Sequence, residues 1–296
     1  MRATARTLIF LHVPKTGGTT FRKILERNFD RKEVLTFKDG DYAAELERFA
    51  KSPESERLRY RLIQGHLYFG FHRFVPDDST YMTWVREPIA RARSFYSHVR
   101  THPEHYLHRR LIEERLDLKG LLERNATPEL FNLQTRMIAG ERSNAGLGLE
   151  RSALEVAKQN LETNFCFVGL TEEFDASLIM LSEMLNWNRP FYMRRNVTSE
   201  RKGPESLDPE TDRLLREANA LDLELYQFAK SLFEARRQGA GPAFESKLRH
   251  FQRLNSIGAG VQRHYGKMKR IFDVMTFRNR RRELAALKEN AAGPSV

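Results

Sequence analysis

The stretch His12–Phe21, HVPKTGGTTF, constrains this chain more than any other. Before it runs TLIFLHV, Thr7–Val13, short, apolar and β-prone, which predicts a buried strand. Pro14 ends the strand. After the glycines, Phe21, Ile24, Leu25 and Phe29 recur at helical spacing and predict one apolar helix face. A strand that passes through a Gly-rich turn into a helix makes an anion site. The N–H groups of the first helical turn lack intrahelical acceptors, and the helix dipole is positive there. Gly17 and Gly18 let backbone approach a phosphate, Thr16, Thr19 and Thr20 surround them with hydroxyls, and Lys15 adds a mobile charge. The order is not that of a Walker A loop, in which the lysine follows the glycines, and it is not G-x-G-x-x-G. It suits a ligand with one terminal phosphate group.

A second motif is VREPIARARSFYSH, Val85–His98. Arg86 follows a predicted strand, Tyr81–Val85, at the edge where α/β sheets bind ligands. Ser94 lies eight residues on, in a helix opened by Pro88. An Arg fork with a hydroxyl suits a second phosphate. Further strands are predicted at Tyr60–Gln64 and Asn164–Gly169. Helices are predicted at Tyr106–Arg124, Glu129–Ala139, Leu149–Glu162 and Phe174–Leu185, with a long one over Asp208–Arg237. A polar, Arg-rich loop is expected over Arg189–Pro204. The alternation of strand and helix predicts an α/β fold: a P-loop-like, three-layer domain with a central parallel sheet and helical insertions.

Charge divides the chain. The 296 residues carry a net charge of +11, and the last 55 hold twelve Lys and Arg against four acids, most of that excess. Their Leu, Ile, Phe, Val and Met residues still recur at helical spacing. This predicts a catalytic core domain, 1–241, followed by a basic amphipathic helical extension, 242–296. The positive balance calls for an anionic partner. The extension is suited to an anionic membrane surface, a second copy of the chain or an acidic glycan, and no specific nucleic acid is expected. One cysteine excludes a disulfide scaffold and a cysteine-based zinc site. With no run of roughly 20 apolar residues, a cytoplasmic location is expected, with peripheral attachment to a membrane as an option.

The two motifs, in this order and spacing, resemble those of the sulfotransferase superfamily, which uses 3′-phosphoadenosine 5′-phosphosulfate (PAPS). Within it the chain looks most like carbohydrate enzymes of the heparan/uronyl 2-O-sulfotransferase type. QGHLYF (Gln64–Phe69), FNLQTRMIAG (Phe131–Gly140), the long stretch Ala153–Leu181, MRRNVTSERK (Met193–Lys202) and LDLELYQFAKSLF (Leu221–Phe233) carry the likeness. The Gly17-Gly18 pair with His12 looks more like the 6-O branch. The resemblance implies that Lys15–Thr20 hold the 5′-phosphosulfate, Arg86 and Ser94 the 3′-phosphate, and Thr198, Arg201 and Lys202 a loop over the nucleotide. It implies His66 as general base, with His72 and His98 as alternatives, Lys15 stabilising the leaving product PAP, a hydroxylated carbohydrate or glycoconjugate as acceptor, and no metal. Two other readings stand beside it: a P-loop phosphotransferase such as a kinase, and a polyanion- or membrane-binding protein acting through its basic C-terminus.

Overall fold

The computed structural model describes residues 7–37, 42–142, 148–187, 192 and 207–256. The apolar run TLIFL forms strand β1 (Thr7–Leu11), buried along its whole length. It is followed by α1 (Gly18–Leu25), β2 (Val34–Thr36), α2 (Tyr42–Lys51), α3 (Glu54–Arg57), β3 (Leu62–Gly65) and β4 (Ser79–Val85). Then come α4 (Pro88–Thr101), α5 (His108–Glu113), α6 (Leu118–Glu123), α7 (Leu133–Ala139) and α8 (Arg151–Thr163). The series ends with β5 (Phe165–Leu170), α9 (Phe174–Met184), α10 (Pro209–Ala218) and α11 (Ala220–Gly239).

The strands form one parallel sheet in the order β2-β3-β1-β4-β5. From β1 the chain goes out to the edge strand β2, returns to β3 between the two, then crosses to β4 on the other side. That reversal leaves the crevice at the carboxyl ends of β1 and β4 as the natural ligand position. The α/β fold with a central parallel sheet is as the sequence predicts. β2 was not foreseen: its three residues, VLT, are too few to show a period.

One large apolar cluster fills the space around the sheet, with Phe10, Phe21, Ile63, Trp84 and Phe167 almost wholly buried. A second cluster, separate from it, joins α4, α5, α6 and α10 through Phe95, Leu111, Leu121 and Leu215. Residues 244–256 continue as helix, and Phe244, Leu248 and Phe251 bury in the first cluster.

Two helix expectations are corrected. The helix foreseen over Tyr106–Arg124 is two, α5 and α6. Arg115 between them takes left-handed backbone (φ 50°), and Asp117 restarts the helix by accepting a hydrogen bond from the Gly120 N–H at 2.8 Å. The helix foreseen over Asp208–Arg237 breaks at Asn219. The Asn219 side-chain amide donates to the carbonyls of Leu130 (2.9 Å) and Leu215 (3.0 Å), tying the break to the chain ahead of α7. The start of that helix is as expected: Asp208 accepts from the Thr211 N–H, with Pro209 in the first turn. The Arg-rich loop lies outside the described residues except for Tyr192. Most of the basic extension, 257–296, does too, and with it the proposed membrane or subunit contact.

Candidate active site

Each strand of the sheet apart from β2 delivers a polar or charged residue to the same carboxyl edge. β1 leads into the Gly-rich loop. Gly17 takes φ 82°, and a Cβ on Gly18 would come within 2.0 Å of the His12 ring. His12 therefore packs directly beneath the first residue of α1, and only glycine leaves room for it. Thr16 turns inward and donates to the Val13 carbonyl at 2.8 Å, while Thr19 is exposed and Thr20 half-buried. Lys15 is half-buried with φ 70°.

β3 leads through Gly65 to His66. The His66 and His12 rings stack with centroids 4.5 Å apart, and His66 Nδ1 lies 2.7 Å from the His12 carbonyl oxygen. A carbonyl only accepts, so Nδ1 carries the proton, and the neutral ring has its lone pair on Nε2. His12 is held well below the usual histidine range, first by burial and then by the charges of His66, Arg22 and Lys15. It is therefore a neutral packing surface for His66.

β4 leads to Arg86, whose Nη1 donates to the Lys15 carbonyl at 3.2 Å. Burial lowers the Lys15 ammonium, and the neighbouring Arg86 charge lowers it further. Two cations are thus held together at the edge of the sheet, an arrangement that an anion relieves. β5 leads to Thr171, whose hydroxyl donates to the carbonyls of Thr16 (2.8 Å) and Val85 (3.0 Å). It ties the loop after β1 to the end of β4.

The structure brings Lys15, Thr16, Gly17, Gly18, His66 and Arg86 into one neighbourhood, as the sequence implied. Ser94 is half-buried on α4, two turns beyond Arg86. His98 also lies on α4, its ring 3.8 Å from that of His102, and is pulled down to about 4 by burial, then by Lys15, His102 and His105. His72 is engaged elsewhere, against Phe69 and with its Nδ1 3.0 Å from the Tyr81 hydroxyl. Thr198, Arg201 and Lys202 lie outside the described residues. A cleft of about 320 Å³ between α4 and α10, lined by Glu87, Arg93, Asp212 and Arg216 among others, contains none of the loop residues.

Two residues were missed. Thr171 follows a strand predicted to end at Gly169, so the carboxyl-edge rule would have found it. Gln134 is buried inside the FNLQTRMIAG stretch, and its amide pairs with the Arg86 backbone at both ends. Its neighbours, Leu133 on one side and Thr135 and Arg136 on the other, gave no local signal.

Residues 2–255 match the galactose-3-O-sulfotransferase family. Heparan-sulfate 6-O-sulfotransferase 2 of Danio rerio is 27% identical, over 88% of this chain and 65% of its own length. Heparan sulfate 2-O-sulfotransferase 1 of Xenopus laevis is 26% identical over 77% of this chain and 70% of its own. Heparan-sulfate 6-O-sulfotransferase 1 of Homo sapiens is 28% identical over 78% and 66%. The chain thus spans about two thirds of the length of these relatives. Among solved structures, mouse sulfotransferase SULT7A1 complexed with PAP is 15% identical, with a TM-score of 0.38, over 73% of this chain and 65% of that one.

The sulfotransferase resemblance is borne out. The cytoplasmic location is not: the relatives are heparan sulfate sulfotransferases, typically Golgi-lumenal enzymes. Among the described residues no helix is long and apolar enough to cross a membrane. Neither that nor a single cysteine reports a compartment.

Proposed function

Since this chain belongs to the galactose-3-O-sulfotransferase family, we propose that it is a carbohydrate sulfotransferase, moving a sulfuryl group from PAPS to a hydroxyl of a carbohydrate or glycoconjugate. The observation that carries the catalytic assignment is the His66 Nδ1 contact to the His12 carbonyl, which leaves the ring's basic lone pair on Nε2. His66 takes the proton of the acceptor hydroxyl as that oxygen bonds to sulfur. The bond from sulfur to the bridging phosphate oxygen breaks, and the electron pair stays on the 5′-phosphate of adenosine 3′,5′-bisphosphate (PAP). Lys15 and the N–H groups that open α1 stabilise that charge as fixed donors.

The residues fit the donor. The paired cations Lys15 and Arg86 suit two phosphate groups, and the His12–Gly18 packing keeps the loop backbone open to one of them. Ser94 joins Arg86 at the 3′-phosphate; Thr198, Arg201 and Lys202, which the resemblance assigns to the nucleotide, lie outside the described residues. The ring of Tyr68, two residues after His66 in the sequence, lies 6.0 Å from that of Tyr42, with the Arg142 guanidinium 4.9 Å from the Tyr42 ring. Aromatic faces beside an arginine suit a sugar ring bearing acidic groups.

Incubation with PAPS and a panel of glycans, read by mass, should give products heavier by one sulfate. Absence of any sulfated product, with PAP bound normally, would overturn the reading. Turnover with ATP and magnesium instead would favour the phosphotransferase.

A further inference from the structure

Arg86 is held by a buried chain of contacts that reaches across the molecule to α11. The Gln134 side chain is 1% exposed. Its Oε1 accepts from the Arg86 N–H at 2.9 Å, and its Nε2 donates to the Arg86 carbonyl at 2.9 Å. Both polar groups of one peptide position are thus fixed by one side chain. This matters because β4 ends at Val85, so no sheet bond holds Arg86.

Gln134 is fixed in turn. The Asp222 carboxylate, wholly buried, accepts from the Gln134 N–H (3.1 Å), the Thr135 N–H (2.7 Å) and the Thr135 hydroxyl (2.7 Å). The cap is reciprocal. Asn132 Oδ1, just ahead of α7, accepts from the Leu221 and Asp222 N–H groups, each at 3.0 Å, at the start of α11. A buried carboxylate is expensive unless fully hydrogen-bonded. Here its charge also faces Arg91, a wholly buried guanidinium on α4 whose Nη2 donates to the Glu129 carbonyl at 2.7 Å.

We propose that Gln134 and Asp222 are positioning residues that aim the Arg86 fork and so set the preference for a nucleotide with a 3′-phosphate over one without it. The inference rests on the reading of Arg86 as the 3′-phosphate contact. Gln134 touches no substrate in it; it acts only through the Arg86 backbone, and Asp222 only through Gln134.

The test compares affinities for PAP and for adenosine 5′-monophosphate, by calorimetry on the full chain. The variants are Gln134→Leu, Asp222→Asn and Arg86→Ala. Two lost hydrogen bonds at the Arg86 backbone lower the preference for PAP roughly tenfold in Gln134→Leu. Asp222→Asn lowers it less, and binding of the monophosphate through the Gly-rich loop is unchanged in both. A purely structural role would weaken both nucleotides alike, or lower the melting temperature with the preference intact. If Arg86→Ala collapses the preference while Gln134→Leu and Asp222→Asn leave it intact, the positioning inference is overturned and the Arg86 reading survives. If Arg86→Ala itself leaves the preference intact, both fall. Should Gln134→Leu fail to fold, the isosteric Asp222→Asn decides by the same ratio.

Discussion

The sheet edge and the helical corner of α4, α5, α6 and α10 are built on different terms. At the sheet edge, parallel registers bring the strand ends together, and contacts such as Thr171 to Thr16 and Gln134 to Arg86 then hold the residues that follow them. In the corner, helices end where single residues cap them, as Asp117 caps α6, and surface ion pairs such as Arg109–Glu113 and Arg213–Glu217 decorate exposed faces. Such pairs are worth little. The contrast teaches that geometry for chemistry sits where backbone pairing is dense, and that the corner is adjustable packing.

Substitutions should separate the two regions. His66→Ala is expected to lose about 10²–10⁴-fold in transfer while retaining PAP binding; equal turnover would remove His66 from the reaction. Lys15→Ala should lose roughly 10²–10³-fold, measured as single-turnover rate with saturating donor. In the corner His98→Ala should cost far less than His66→Ala, and a comparable loss would move the base to α4. Gly18→Ala forces the His12 ring aside and is expected to destabilise by roughly 1–3 kcal/mol, seen as a lower urea midpoint with donor binding impaired. Asp117→Ala, by contrast, should cost about 1 kcal/mol and leave turnover untouched.

Acid sharpens the same comparison. His12 in the sheet, and His98 and His105 in the corner, are all held below the ordinary histidine value, chiefly by burial. The unfolded chain takes up these protons first, so stability is full above about pH 6.5 and declines as pH falls toward 4. The urea midpoint should therefore drop between pH 7.5 and pH 5. His12→Gln should flatten that dependence more than His98→Gln, since His12 is the more deeply buried of the two. A larger flattening from His98→Gln would place the sensitivity in the corner.

The difference also explains what could be read from residues alone. Runs such as TLIFL and the order Lys15-Thr16-Gly17-Gly18 speak locally, because a buried strand and a Gly-rich turn need only their own residues to be recognised. The break at Asn219 does not, since it depends on a partner distant in sequence, Leu130. Gln134 was silent for the same reason: its partner is 48 positions away. The residues foreseen over the nucleotide, 198–202, lie beyond the described chain.

Lys15 holds left-handed backbone, a conformation that costs an L side chain on the order of 1–3 kcal/mol and glycine almost nothing. A library selected for heat resistance alone would therefore drift toward Lys15→Gly, gaining robustness as it discarded the cation we propose to face the leaving group. Thermostabilisation of this protein has to be screened with turnover in the same round, because at this one position the two selections point in opposite directions.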